Sequence, residues 1–191
     1  STREDHMTVP FLDLRASYLE LKAGIDAAVA RVLDSGYYIL GEEVDAFEAE
    51  YARSTGAAQC IGVANGLDAL ILSLRALEIG PGDEVIVPTH TFTATAEVVR
   101  YLGADVKLVD IDPATLNMAP ALVEAAITPR TKALIPVHYG GLAADMPALL
   151  DIARRHDLKV VEDAAHALPT TCGGALVGTL GSDATVFSFY A

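Results

Sequence analysis

The chain has 191 residues, with 13 basic and 26 acidic side chains that give a formal net charge of −13. Hydrophobic residues make up 52% of it, enough to bury a sizeable core, so intrinsic disorder, collagen and small disulfide scaffolds are excluded. No apolar run reaches the roughly 18 residues that a membrane helix needs. The excess of acids disfavours a nucleic-acid partner, because the phosphate backbone is also negative. We therefore expect neither a membrane nor a nucleic-acid partner.

The two ends of the chain and its cysteines indicate its context. Residues 1–7 are polar, end in His6-Met7 and are typical of an expression scar. Cys60 and Cys172 belong to no Cys-x-x-Cys pair or metal-spaced cluster, which favours a reduced, cytoplasmic protein. The last residues form an apolar run over 184–190, so we expect the sequence to be a fragment of a longer protein.

The N-terminal part predicts two helices. Apolar residues at helical spacing indicate a helix over Ser17–Leu33, within an N-terminal helical segment at 8–35. Ser17 and Glu20 match a capping box at its start, and Gly36 is expected to end it. A second helix is predicted from Glu42 to about Arg53.

The remaining chain alternates between short apolar runs and helical stretches, which is typical of a parallel sheet with helical crossovers. The fold class is therefore α/β, with a mostly parallel central sheet and helices on both faces. Cys60 is interpreted as a buried residue of the first strand. The predicted strands are Gln59–Val63, Glu84–Val87, Val106–Val109, Ala133–Pro136 and Lys159–Glu162, and the predicted helices are Leu67–Leu77, Thr93–Leu102, Pro120–Ile127 and Met146–His156.

Ligands of such sheets bind at the carboxyl ends of the strands, so polar residues there are candidate ligand contacts. After the first strand, Asn65 is a good helix N-cap and Gly66 allows close backbone approach, which indicates an anion site. The alternative is an ordinary strand–helix loop, since the glycine fingerprint of dinucleotide-binding proteins is missing. After the second strand, Phe92 is either a core residue or a stacking platform for a flat ring, and the neighbouring hydroxyls are capping candidates.

Two more strand ends carry polar groups. Asp163 closes a hydrophobic strand after Glu162, and His166 follows three residues later. A carboxylate at the mouth of a buried strand is costly unless it meets a cation or a protonated ring nitrogen; the alternative is a capping or solvated pair of acids. Asp163 and His166 supply only two ligands, so no metal site is predicted. Ser188 is either bonded to backbone or a phosphate ligand.

The order and spacing of these segments are more specific than any one of them. The sequence resembles the DegT/DnrJ/EryC1/StrS family of pyridoxal-phosphate (PLP) sugar aminotransferases, which have the aspartate aminotransferase fold (fold type I). The resemblance runs from Val9 to Ala191. It rests on Ser35-Gly36-Tyr37-Tyr38-Ile39-Leu40-Gly41, Asn65-Gly66-Leu67-Asp68-Ala69-Leu70, Gly82-Asp83-Glu84-Val85-Ile86-Val87-Pro88, Thr91-Phe92-Thr93-Ala94-Thr95, Pro136-Val137-His138-Tyr139-Gly140, Glu162-Asp163-Ala164-Ala165-His166 and Phe187-Ser188-Phe189-Tyr190.

The resemblance implies roles for these residues. Asp163 would pair with the protonated pyridine nitrogen of PLP and Phe92 would stack on the ring, with His166 beside the phenolic oxygen. The cofactor phosphate and the sugar nucleotide would each have a further group of contacts. Those for the phosphate are the backbone N–H groups of Gly66, Leu67 and Asp68 with the Ser188 hydroxyl, and those for the sugar nucleotide are Tyr38, His138 and Tyr139.

The resemblance also implies what this chain lacks. The family's Schiff-base lysine lies five residues after the phosphate-binding serine, which here falls two positions past Ala191. None of the four lysines present takes its place. Residues 36–191 would be an incomplete PLP-binding large domain, without the small C-terminal domain, and the whole enzyme would be a homodimer.

The implied function is transfer of an amino group, with glutamate as donor, to a keto-sugar linked to a nucleoside diphosphate, in amino-sugar biosynthesis. The form of residues 65–70 favours 3-keto over 4-keto sugars. Two alternatives remain. A sugar 3-dehydratase of the same family has His in place of the lysine. A non-catalytic regulatory protein with the same fold would be expected to lose the ring-binding aspartate, and Asp163 is present.

Overall fold

The structure, a computed structural model, describes residues 10–189. The proposed scar at 1–7 and Tyr190 of the last motif lie outside them. The chain divides into two compact units between Phe47 and Glu48. This division falls within the second helix, whereas the sequence interpretation begins the large domain at residue 36.

The first unit is built on α1 (Leu14–Ser35), and α2 (Glu42–Thr55) begins in it. The N-cap of α1 is Asp13, whose side chain accepts the N–H of Ala16. The predicted cap at Ser17 is therefore wrong by one turn, because Asp13 is also a strong capping residue and starts the helix earlier. Gly36 ends α1 in the left-handed conformation, as predicted.

Arg31 on α1 holds the first turn of α2. Its Nε and Nη2 atoms donate to the two carboxylate oxygens of Glu43, at 2.6 and 3.1 Å. This hydrogen bonding lowers the pKa of Glu43. The paired guanidinium thus keeps a carboxylate ionised at a helix start, where negative charge is favourable.

The second unit alternates strands with helices. In residues 10–189, no helix combines the length and the apolar character needed to cross a bilayer. The strands are β1 (Glu84–Pro88), β2 (Asp105–Val109), β3 (Thr131–Leu134), β4 (Lys159–Asp163), β5 (Thr171–Cys172), β6 (Ala175–Leu176) and β7 (Ala184–Val186), and the other helices are α3 (Gly66–Ala76), α4 (Ala94–Tyr101), α5 (Pro120–Ala126) and α6 (Met146–His156).

Five of these strands form one sheet in the order β2-β1-β3-β4-β7, and every pair in it is parallel. The predicted α/β class with a mostly parallel sheet is confirmed. The short β5–β6 hairpin, which the sequence analysis did not predict, forms a separate antiparallel pair. Because all five strands run the same way, their carboxyl ends meet at one edge.

The sheet separates two hydrophobic cores. Neighbouring strand residues point to opposite faces, so Val85 and Val87 enter one core and Ile86 the other. The first core also takes residues of α3 and α4, including Leu74 and Val98. The second takes residues of α5 and α6. Burial on both faces explains why the strands read as continuous apolar runs.

The predicted strand Gln59–Val63 is wrong. These residues are in no strand, and Ile61 is 76% exposed. Cys60, expected to be a buried strand residue, is only partly buried. A strand needs a neighbour for its backbone groups, and no segment within 10–189 forms a ladder with this one. The strand predicted at Ala133–Pro136 begins earlier, at Thr131, because its pairing with β1 starts there.

Leu134 tests the contribution of the second core. Its side chain is fully buried, so Leu134→Ala should lower the free energy of unfolding by about 2–5 kcal/mol through lost burial and a cavity. Urea unfolding followed by circular dichroism measures the change. Leu108→Ala, at an edge-strand leucine that is 56% exposed, is the matched control and should change it by less than about 1 kcal/mol. Equal losses would contradict the assignment of this core.

Candidate functional site

Asp163 is the last residue of β4, at the carboxyl edge of the sheet. Its backbone N–H donates to the carbonyl of Pro136 at 2.9 Å, and its carbonyl accepts the N–H of His138 at 3.1 Å. On the other side of β4, the N–H of Ala164 donates to the carbonyl of Val186 at 2.8 Å. Backbone hydrogen bonds to the segments on both sides of β4 therefore fix the position of this aspartate.

Asp163 is 8% exposed, and its carboxylate accepts hydrogen bonds from two donors. The Thr95 hydroxyl lies 2.8 Å from Oδ2, and the N–H of Ala165 lies 3.2 Å from Oδ1. Within the part of the chain that the structure describes, no lysine, arginine or histidine forms an ion pair with it. A buried carboxylate without a counter-charge is costly. The geometry thus fits a cationic ligand group at this edge.

Thr95 was expected only as a capping candidate, and its role differs. The residue is fully buried in the first turn of α4, and its hydroxyl contacts Asp163 rather than the helix backbone. A second hydroxyl, of Thr91, lies 2.8 Å from that of Thr95. The sequence separation of 68 residues between Thr95 and Asp163 explains why the spacing of residues did not reveal this contact.

A second part of the site lies at the start of α3. Asn65 is the N-cap, as predicted, and its Oδ1 accepts the N–H of Asp68 at 2.9 Å. This bond uses one of the three N–H groups assigned to a phosphate. The N–H groups of Gly66 and Leu67 belong to the first turn, where no intrahelical acceptor exists. They remain suited to an anion.

Ser188 lies beside the first turn of α3 in space. A methyl group at Gly66 would lie 3.2 Å from Cβ and 3.4 Å from Oγ of Ser188. Only a glycine therefore leaves this space open between the first turn of α3 and the serine hydroxyl. Val186, two residues before Ser188, pairs with Asp163 in the sheet. We call the N–H groups of Gly66 and Leu67 together with the Ser188 hydroxyl the anion cradle. The anion cradle and the buried Asp163 carboxylate consequently share one edge of the sheet.

Aromatic rings hold the segment that carries Ser188. The Tyr51 ring meets Phe187 and Phe189 edge-on, with ring centroids 5.4 and 5.6 Å apart. Burial, with a smaller effect of the Cys60 thiolate, raises the pKa of Tyr51 to about 12. The phenol therefore stays neutral, and these contacts are apolar packing on both sides of the serine.

Phe92 and His166 extend from the same edge. Phe92 is 78% exposed in the loop between β1 and α4, so the interpretation as a core residue is wrong and a stacking platform remains. His166 is exposed, and its Nδ1 accepts the N–H of Gly140 at 3.4 Å. Both rings are accessible to a ligand.

Tyr139 lies between two histidines. Its ring centroid is 4.1 Å from that of His90 and 6.0 Å from that of His166. The sequence analysis missed Asn117, which is buried and accepts the Tyr139 N–H at 2.9 Å while donating to the carbonyl of Leu142 at 3.0 Å. A single asparagine in a loop carries no sequence signal for this role, because its partners are more than 20 residues away.

His138 does not face a ligand. The sequence analysis placed it near the substrate, but its side chain is fully buried, with Nε2 2.8 Å from Oε2 of Glu162. Its Nδ1 accepts the N–H of Ala144 at 3.1 Å, so the ring proton is on Nε2, toward the carboxylate. Ser182 and Thr185 donate to the other oxygen of Glu162. This cluster, formed around Glu162, is a buried brace behind the site.

Tyr38, the third expected substrate residue, is exposed in the first unit.

Other candidate sites are weaker. Among residues 10–189, no three His, Cys, Asp or Glu side chains are grouped to hold a metal ion. A cavity of about 460 Å³ lies by the amino ends of β3 and β4, where Lys132, His156 and Asp157 are among its lining residues. None of the predicted site residues lines it. The carboxyl edge, with its anion cradle and its buried carboxylate, is the site that the fold builds.

Comparison with known proteins shows the family of the chain. Residues 20–191 match the model of the DegT/DnrJ/EryC1/StrS aminotransferase family. A UDP-N-acetyl-3-dehydro-alpha-D-glucosamine 3-aminotransferase of Acidithiobacillus ferrooxidans is 51% identical over 182 residues, covering 95% of this chain and 49% of that protein. The chain thus spans about half the length of the curated relatives it matches.

Solved structures of related proteins also superpose on the chain. DesV of S. venezuelae, solved in complex with a ketimine intermediate, superposes with a TM-score of 0.91 at 51% identity, over 95% of this chain and 49% of that one. A sugar aminotransferase of Streptococcus pneumoniae, solved in its PLP form, has a TM-score of 0.81 at 35% identity, over 85% of this chain and 45% of that one.

Gly66→Ala tests the anion cradle. The added methyl group would occupy the space beside Ser188, so we expect inorganic phosphate to bind several-fold more weakly, with the fold retained. Titration followed by ³¹P NMR measures the affinity. Gly80→Ala is the matched control, because a methyl group there meets no atom within 4 Å. Phosphate binding that is unchanged in Gly66→Ala would rule out this cradle.

Glu162→Ala tests the buried brace. Removing the carboxylate leaves the donors of His138, Ser182 and Thr185 without their shared acceptor, and at about 1–3 kcal/mol for each buried unpaired donor we expect the free energy of unfolding to fall by about 3–5 kcal/mol. Urea unfolding measures it. Glu97→Ala, at an exposed acid, should cost less than about 1 kcal/mol. A loss at Glu162 no larger than at Glu97 would mean that the cluster contributes little.

Proposed function

The chain belongs to the DegT/DnrJ/EryC1/StrS aminotransferase family, and on that premise we propose that it is the cofactor-binding part of a PLP-dependent nucleotide-sugar aminotransferase. PLP is the family's cofactor, and when bound it supplies an electron sink for the proton transfers of amino-group exchange. The observation that carries the proposal is the buried Asp163 carboxylate, which has two hydrogen-bond donors and no cationic partner among residues 10–189.

Asp163 suits the pyridine nitrogen of this cofactor. A protonated ring nitrogen is a planar cationic donor, and a carboxylate with little exposure to water pairs strongly with such a group. Since Thr95 and Ala165 already orient both carboxylate oxygens, the aspartate would meet the ring without rearranging. Its negative charge would keep the ring nitrogen protonated.

The phosphate of the cofactor suits the cradle between α3 and Ser188. The N–H groups of Gly66 and Leu67, in the first turn of α3, and the Ser188 hydroxyl would donate to its oxygens. The N–H of Asp68 is bonded to the Asn65 cap, so we assign Asp68 a smaller part. Phe92, exposed at the same edge, would stack on the ring, and His166 would lie beside the phenolic oxygen.

The lysine that would hold the cofactor covalently is proposed to lie two positions past Ala191, as the family resemblance implies. Of the four lysines in the chain, Lys159 begins β4, at the end of the strand opposite Asp163. Lys132 is near the amino end of β3. These positions support the view that the chain supplies the binding residues and not the Schiff base.

We propose a 3-keto sugar linked to a nucleoside diphosphate as the amino acceptor. The name of the Acidithiobacillus ferrooxidans relative, a 3-aminotransferase of a 3-dehydro sugar, supports a 3-keto substrate. Tyr139, ordered by Asn117 at the carboxyl edge, is the residue we propose for substrate contact, and a substrate role of Tyr38 stays a prediction from the family resemblance. Glutamate as amino donor, a homodimer and a cytoplasmic location stay predictions.

Binding of pyridoxamine phosphate, the amino form of the cofactor, tests the proposal, because this form needs no lysine. We expect the 191-residue chain to bind it and Asp163→Asn to bind at least tenfold more weakly, since the amide has no charge for the ring nitrogen. Isothermal titration calorimetry measures both affinities. Asp110→Asn, at an exposed acid just after β2, is the control and should match the unaltered chain. No binding, or equal binding by Asp163→Asn, would overturn the proposal.

A further inference from the structure

A chain of two hydroxyl groups leads to the buried carboxylate. Thr91 and Thr95 are four residues apart, and their hydroxyl oxygens are 2.8 Å apart. The Thr95 hydroxyl is also 2.8 Å from Oδ2 of Asp163. Thr95 is fully buried and Thr91 partly buried. Water therefore does not replace the hydrogen bond between Thr95 and Asp163.

The direction of this chain follows from counting protons. A hydroxyl group has one proton to donate, and an ionised carboxylate has none. Thr95 must therefore donate to Asp163, and Thr91 must donate to Thr95. Each bond in such a series polarises the next one, so the donor that reaches the carboxylate is strengthened.

The hydroxyl chain connects two parts of the site. Thr91 immediately precedes Phe92 in the loop after β1, whereas Asp163 ends β4. β1 and β4 are not neighbours in the sheet, because β3 lies between them. Thr91, the residue next to Phe92, is thus linked to the buried carboxylate by side-chain hydrogen bonds across an intervening strand.

We propose that Thr95 is a positioning residue for the cofactor, an inference that rests on the proposed function. Its hydroxyl, oriented by Thr91, fixes the plane in which the Asp163 carboxylate would meet a protonated ring nitrogen. The same contact sets the loop that carries Phe92 relative to that carboxylate. Thr95 acts through Asp163 and does not touch the ring itself.

Three variants test this inference. Thr95→Val keeps the shape of the side chain and removes the donor, and Thr95→Ser keeps the donor. Thr93→Val is the matched control, since Thr93 is exposed in the same loop and makes no side-chain cap bond. Pyridoxamine phosphate labelled with ¹⁵N at the ring nitrogen is the probe, and the 191-residue chain is the protein.

We expect Thr95→Val to bind the probe about tenfold more weakly. The ¹⁵N resonance of the bound ring should shift toward the unprotonated position, a readout that a merely structural role of Thr95 would not move. Thr95→Ser should restore both values, and Thr93→Val should leave both unchanged. Should Thr95→Val fail to fold by near-ultraviolet circular dichroism, Thr91→Val decides, with an expected loss of about threefold and a smaller shift.

The outcomes separate the two proposals. If the unaltered chain binds the probe and Thr95→Val binds it equally well with an unchanged ¹⁵N resonance, the positioning role is overturned and the cofactor site stands. An unaltered chain that does not bind the probe overturns the proposed function, and the inference about Thr95 falls with it.

Discussion

The structure at the carboxyl edge depends on one electrostatic constraint, the burial of a carboxylate at the end of β4. A charge removed from water must be compensated by donors and by opposite charge. Asp163 receives its donors from two directions, from Thr95 on α4 and from its own following turn at Ala165. The opposite charge is what a ligand has to bring. The edge combines the proposed anion cradle with this carboxylate, and we propose that it fits a ligand that is anionic at one end and cationic at the other.

Two neighbouring acids on β4 have different environments because successive side chains of a strand point to opposite faces. Glu162 points toward His138, Ser182 and Thr185 and is fully enclosed by them. Asp163 points toward α4 and retains a little exposure to the edge. The first acid holds the protein together behind the site, and the second is available to a ligand. A shift of one residue in the register of β4 would exchange these environments and remove the site.

The position of His138 shows how the brace and the site are joined. Its backbone N–H bonds the carbonyl of Asp163, and its side chain bonds Glu162. Tyr139, the next residue, stacks against His90 at the edge. The turn after β3 is therefore tied to both acids of β4 at once, through the backbone of Asp163 and the side chain of Glu162. A histidine beside a tyrosine in such a turn is naturally read as a ligand contact, but burial gives the two side chains different functions.

The sequence by itself determined the fold class, most element boundaries, the helix cap at Asn65 and the family. These features depend on local periodicity, on capping chemistry and on the order of short motifs, all of which are readable along the chain. It could not determine that residues 59–63 form no strand pairing within residues 10–189, because a strand exists only with a neighbour. Nor could it assign Thr95 to Asp163, Asn117 to Tyr139 or Glu162 to His138, since each of these contacts joins segments that are far apart in sequence. Only the parallel sheet, by bringing the strand ends to one edge, decided which polar residues meet there and which are buried behind it.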